Sequence, residues 1–191
     1  MVTSVQLYLG LLVAVALERG VELGLSVRNA RVARARGGVE SGQGHYPAMA
    51  VFHGLFLVAC ALEVVVLRRP FLGVLGWVAL AAVLAAQALR YWAIATLGWR
   101  WNTRIMVIPG DPPVTAGPYR FVRHPNYVAV IAEMAALPLV HGAWLTAGVF
   151  TLGNAWLLRV RIRAEERALG ETWQHAFAGR PRFVPGGHGG H

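Results

Sequence analysis

The sequence predicts an all-α integral membrane bundle of about five transmembrane helices, followed by an amphipathic C-terminal helix on the cytoplasmic side. Three observations predict it. Of 191 residues, 56% are hydrophobic and 14% charged, and the mean hydropathy of +0.49 is too high for an ordinary soluble domain of this size. The apolar residues fall into runs long enough to cross a bilayer or to pair as a helical hairpin. All 18 basic side chains are arginine, and they stand between those runs, as in a protein whose cytoplasmic loops carry the positive charge. That placement turns the net charge of +9 away from nucleic acid and toward membrane lipids. The single cysteine, Cys60, lies inside an apolar run, which excludes an intrachain disulfide and a cysteine-based metal cluster.

The first run, Val5 to Val27, lacks the basic start and small-residue cleavage site of a secretory signal, so a retained helix is expected. Glu18, Arg19 and Glu22 fall in its second half and must face protein, water or headgroups. The second span is Tyr46 to Leu67 and the third Phe71 to Leu89, joined by Arg68, Arg69 and Pro70, so that residues 1–97 hold three spans. Asn126 to Val140 and Trp144 to Leu158 are shorter runs around Pro138, His141 and Gly142, and read as two helices with a brief turn. His53, Glu63 and Glu133 lie within spans, and each requires a partner. Arg28, Arg31, Arg34 and Arg36 follow the first span. Arg90, Arg100, Arg104, Arg120 and Arg123 follow the third, and Arg159, Arg161, Arg163, Arg167, Arg180 and Arg182 the fifth, against Arg68 and Arg69 on the other side. This asymmetry puts the N-terminus outside and the C-terminus in the cytoplasm.

Within this single membrane domain, residues 98–185 hold two segments too polar to span, Gly98 to His124 and Arg159 to Pro185, which are expected to meet. Three prolines and a glycine between Ile108 and Val114 exclude a helix there. Pro125 suits the first position of the fourth helix, where its missing N–H costs nothing. Arg159 to Ala178 is amphipathic and predicts a helix lying across the cytoplasmic side. Residues 186–191 form a flexible tail whose two histidines fit a solvated end, and no metal site is expected.

The helix start at Pro125 offers backbone N–H groups and a dipole to an anion, with Arg120, Arg123 and His124 beside it. Tyr119, Tyr127, Trp92, Trp99 and Trp101 supply π faces that suit a cation, or else an aromatic belt at headgroup level. One of Glu165 and Glu166 can accept from an ammonium or a ribose hydroxyl while Arg163 meets an anionic group; plain pairing with the surrounding arginines is the alternative. No Gly-x-Gly-x-x-Gly after a strand, Walker sequence or His-Glu-x-x-His occurs, which removes soluble Rossmann, P-loop and zincin readings.

Gly117-Pro-Tyr-x-x-x-Arg-His-Pro-x-Tyr127, then Arg161-x-Arg-x-Glu-Glu166 and Pro181-Arg-Phe-Val-Pro185, resembles the isoprenylcysteine carboxyl methyltransferase family of integral membrane enzymes, over about Leu97 to Pro185. The resemblance implies S-adenosyl-L-methionine in a cytosol-facing pocket closed by the C-terminal helix, with a lipophilic substrate entering from the bilayer. It assigns Gly117, Tyr119, His124, Pro125, Tyr127 and Glu165 to the cofactor, and sets Arg163 and Glu166 nearest the reacting group, with His124 and Glu166 as candidate bases. The stretch from Trp101 to Pro138, with Glu133, looks closer to bacterial relatives that methylate alkylresorcinols or alkylpyrones than to enzymes acting on prenylated proteins. The expected activity is therefore O-methylation of a phenolic, enolic or carboxyl oxygen on a lipophilic small molecule. The rival readings are a membrane NADPH-dependent reductase of steroid-reductase type and a non-enzymatic lipid-binding scaffold.

Overall fold

A computed structural model describes residues 3–183; Val184, Pro185 and the tail 186–191 lie outside them. Five α-helices run in the order α1 (Ser4–Ala35), α2 (Tyr46–Val66), α3 (Val74–Leu97), α4 (Pro125–Leu139) and α5 (Trp144–Ala176). The purely α expectation is corrected by a small antiparallel sheet of β1 (Val39–Ser41) and β2 (Ile105–Val107), with Glu40 opposite Met106. Strands of three residues are too short to show an alternating pattern in the sequence. What marks this pair is charge: Glu40 takes Arg34 at 2.8 Å and Arg104 at 2.6 Å. Burial opposes the charge on Glu40, but hydrogen bonds from the two guanidiniums outweigh it and hold the carboxyl below its ordinary range.

α1 starts on Thr3, whose side chain and that of Gln6 form a reciprocal cap. Its first half buries Tyr8, Leu12 and Val15 against Phe56, Cys60 and Val64 of α2, Val83 of α3 and Leu137 of α4. The faces turned away from this core are apolar too: Val21 is 73% exposed, Val74 81% and Leu152 74%. Such a surface belongs in lipid. Among the described residues two helices are, by length and composition, fit to cross a membrane, Tyr46–Val66 and Val74–Arg100. α1 and α5 carry charges along their length, and α4 has 15 residues, so hydropathy and length leave the expected five spans at two.

Expected to end at Leu89, the third helix continues to Leu97 and stops at Gly98, whose φ of 55° favours glycine. Arg90 is therefore no loop arginine. It is 5% exposed, and its Nη2 lies 2.7 Å from Oε2 of Glu133 on α4. Around this pair Arg19 meets Glu22 at 2.8 Å, Glu18 at 3.2 Å and Glu133 at 3.7 Å, while Gln87 bonds both Glu18 and Arg19. The charges of the first span thus find their partners on α3 and α4. Hydropathy breaks off at the first charge, whereas the helix persists because the next residues remain good helix formers.

Glu63 closes the opposite end of the bundle. Its carboxylate accepts from Thr146 N and Oγ1, both at 2.7 Å, and from Leu145 N at 3.2 Å, so a side chain of α2 caps the start of α5. Arg69 neutralises it at 3.0 Å. α5 then runs through Arg159 without interruption, and its non-helical residue is Gly170, with φ 71°. A separate cytoplasmic helix beginning at Arg159 is thus corrected. Polarity there marks a change of surroundings, which leaves the backbone hydrogen-bond ladder intact.

Candidate functional site

The two polar segments meet, as their composition predicts. His124 precedes α4 with extended-to-bridge backbone (φ −130°, ψ 63°), and Pro125 occupies the first helical position, fully buried. Among the described residues no side chain caps this start. The His124 ring is 5% exposed and lies between Tyr127 and Trp173, with ring centroids 5.3 and 5.5 Å away. Its Nε2 stands 3.1 Å from Oε1 of Glu166. Arg182 grips the same carboxylate with two bonds, Nε to Oε1 at 3.0 Å and Nη2 to Oε2 at 2.6 Å. Burial works against ionisation of Glu166, but hydrogen bonds from Arg182 and His124 prevail and keep its carboxyl below the ordinary range.

Glu165, about 100° around the helix, is used differently. It accepts a short hydrogen bond from the Tyr127 hydroxyl. Arg161 Nε donates to that hydroxyl at 2.7 Å, and Arg161 Nη2 donates to the carbonyl of Thr103 at 2.6 Å. Thr103 is itself tied to α1 by the Ser26 hydroxyl at 2.7 Å. Arg161 is 6% exposed. It is the side chain that sequence reasoning passed over, having counted it among the loop arginines; its place two residues before Arg163 in the quoted motif was the available signal.

The chain after α5 folds back over the helix start. Arg123 N donates to the Pro181 carbonyl at 2.9 Å and His124 N to that of Arg182 at 3.2 Å, while Arg123 Nε bonds the Arg180 carbonyl at 2.6 Å. Arg180 in turn reaches the Tyr119 carbonyl at 3.1 Å. Tyr119 packs with Ala93, Trp173 and Phe177; burial, then the nearby charge of Glu165, raises its hydroxyl well above the usual tyrosine range. Gly117 has φ 55°, and a Cβ there would strike the Thr96 side chain. Its demonstrated part is to let the turn Gly117–Arg120 close against α3.

The tryptophans of the α3 end do not converge on His124: Trp101 is buried, Trp99 is covered by Arg36 at 4.1 Å, and Trp92 faces Phe121. The aromatic neighbour of His124 is Trp173, which the sequence reading did not single out. Arg163, which the resemblance sets with Glu166 nearest the reacting group, is exposed and has no ion pair among the described residues. It lines a recess of about 230 Å³ with Arg159, Ile162, Arg182 and Phe183. Among the described residues no group of histidine, cysteine, aspartate and glutamate could hold a metal ion.

Comparison with known proteins adds the lineage. An uncharacterized protein of Bacillus subtilis, YpbQ, is 40% identical over 163 residues, covering 84% of this chain and 96% of its own. An uncharacterized protein of Haemophilus influenzae is 28% identical over 152 residues, covering 79% and 88%. Residues 77–171 match the model of the isoprenylcysteine carboxyl methyltransferase (ICMT) family. That match takes in α3, the turn at Gly117, the helix start from His124 to Tyr127 and the carboxylates of α5, so the elements that build the site are those by which the chain belongs to the isoprenylcysteine carboxyl methyltransferase family.

Proposed function

We propose that the protein is a membrane O-methyltransferase that uses S-adenosyl-L-methionine to methylate a phenolic or enolic oxygen on a lipophilic small molecule. The family supports a membrane methyltransferase; cofactor, substrate class and orientation are our reading. In it all five helices lie in the bilayer, with the N-terminus outside and the site facing the cytosol, because the arginines of the α1–α2 and α3–α4 connections and of the tail gather on one side. The carrying observation is the uncapped start of α4 meeting Glu165 and Glu166 beside the rings of Tyr119, Tyr127 and Trp173.

The residues present fit the cofactor. Pro125 has no N–H, and Tyr127 and Val128 donate theirs to the His124 carbonyl, so the Asn126 N–H is the first-turn donor that suits its carboxylate; Asn126 also keeps a buried Oδ1 without a partner among the described residues, an acceptor for an ammonium or hydroxyl. Glu165 suits a ribose hydroxyl or the ammonium, and the faces of Tyr119 and Tyr127 suit a sulfonium. Gly117 and Pro125 shape this wall. When bound, the cofactor supplies an activated methyl group on sulfur. The chain's own share is positioning and proton handling. His124 takes the proton released by the hydroxyl, Glu166, held ionised by Arg182, orients its ring, and Arg163 steers the acidic oxygen.

Titration calorimetry in detergent with S-adenosylhomocysteine and with NADPH tests the reading. The former should bind, and binding of NADPH alone would replace the methyltransferase with a reductase; binding of neither favours the scaffold. The nature of the oxygen shows in pH. A phenol has a pKa near 10, so single-turnover transfer under saturating cofactor should rise between about pH 6 and 9, whereas a carboxylate, with a pKa near 4, gives a flat profile. A flat profile would shift the assignment to a carboxyl acceptor.

A further inference from the structure

We infer that the core of the bundle binds one proton, seated on the carboxyl pair Glu18 and Glu22 of α1, which makes its buried charge network electrically neutral. The inference is independent of the methyltransferase chemistry and rests on a count of charges and of open oxygen positions. Glu18 and Glu22 of α1 and Glu133 of α4 meet the guanidiniums of Arg19 and Arg90. Three ionised carboxylates would thus face two cations. Glu22 and Glu133 are each 7% and Arg90 5% exposed, so the surplus charge would lie away from water, and a buried carboxylate without a counter-charge is among the costliest groups a fold can hold.

The contacts locate the surplus. Arg90 makes its shortest contact, 2.7 Å, with Glu133 and reaches Glu22 only at 3.7 Å. Arg19 is left to serve Glu22 at 2.8 Å and Glu18 at 3.2 Å with one guanidinium. The two glutamates stand one helical turn apart on the same face of α1. Each turns its Oε2 to Arg19, and Gln87 of α3 also donates to Oε2 of Glu18. The other oxygen of each, Oε1, is buried without a hydrogen-bond partner among the described residues. Two carboxylates at one site favour retention of a proton, and that proton turns one of the two open acceptors into a donor.

The remaining groups that face the pair do not supply the missing charge. His53 of α2 faces Arg19 and Arg90 as well as Glu133, so an imidazolium there would meet two cations and one carboxylate, and its Nδ1 is bonded to the Met49 carbonyl at 2.8 Å. The Tyr91 hydroxyl, which borders Glu18 from α3, and the Gln87 amide are neutral. The metal-ion alternative finds no group of histidine, cysteine, aspartate and glutamate fit to hold it among the described residues. The neutral network matters to the site because Arg90 is one turn from Ala93, which packs with Tyr119 and Trp173, and Glu133 lies on the helix that follows His124. It lets α1 close on the two helices that carry these residues.

The experiment uses the full chain in detergent at neutral pH. Infrared spectra should show the C=O stretch of a buried carboxylic acid, recognised by its shift in D2O. Glu18→Gln and Glu22→Gln should each abolish that band, since the carboxylate that remains is matched by Arg19, while Glu171→Gln, at an exposed position, should keep it. Each single amide should unfold within about 3 °C of the unmodified protein. The two together leave Arg19 with Glu133 at 3.7 Å and should lower the unfolding temperature by about 10 °C. If the double variant does not fold, the band and the single variants decide. Absence of the band from the unmodified protein, or its persistence in both single variants, overturns the proposal. Stability that rises with sodium at constant ionic strength, without the band, would put a sodium ion in place of the proton and overturns it as well.

Discussion

His124→Ala should weaken S-adenosylhomocysteine binding at least about 100-fold, close to 2.7 kcal/mol, while lowering the unfolding temperature by only about 5 °C. The asymmetry follows from where the ring sits. It precedes α4 rather than standing within it, and the backbone bonds from Arg123 N and His124 N to the returning tail do not use the side chain. Glu166 keeps Arg182 in the variant, so no buried carboxylate is left without a partner. What is lost is the ring between Tyr127 and Trp173 and the bond that sets one oxygen of Glu166. Calorimetry beside thermal unfolding in detergent separates the two. Unchanged affinity, or an affinity loss matched by unfolding, would remove His124 from the site.

Arg90→Ala should cost about 3–5 kcal/mol of stability, because it leaves buried Glu133 only the more distant Arg19 at 3.7 Å and deprives Glu22 of its second cation. The double variant Arg90→Met with Glu133→Leu should recover most of that loss, since desolvating an ion pair consumes much of what its attraction returns. Neither change touches His124, Glu165 or Glu166. Unfolding curves in detergent check both, and a loss below about 1 kcal/mol for Arg90→Ala would mean that lipid or water already reaches the cluster.

Much of the site was legible because it is built from short-range chemistry. A proline that begins a helix, a histidine before it and a pair of glutamates in an arginine-rich helix are readable as neighbours in the chain, and the polarity of Gly98–His124 and Arg159–Pro185 marks them as each other's partners. Arg90 and Arg161 were misread for one reason. An arginine next to an apolar run looks like a loop residue until the carboxylate or hydroxyl that receives it is known, and Glu133 and Tyr127 stand 43 and 34 positions away. The sheet of Val39–Ser41 with Ile105–Val107 was hidden in the same way, since pairing across so long an interval leaves no periodic trace.

The unbroken course of α5 has a mechanical consequence. From Trp144 to Leu169 it is a rod of about 39 Å, pinned at one end of the bundle by Glu63 and carrying Arg161, Glu165 and Glu166 toward the other. A stiff rod anchored at one end converts a change in the separation of the two faces into tilt, and tilt displaces the working end relative to α4. Under the proposed membrane function, turnover is expected to vary with lipid chain length, with a maximum at the thickness for which Glu166 meets His124.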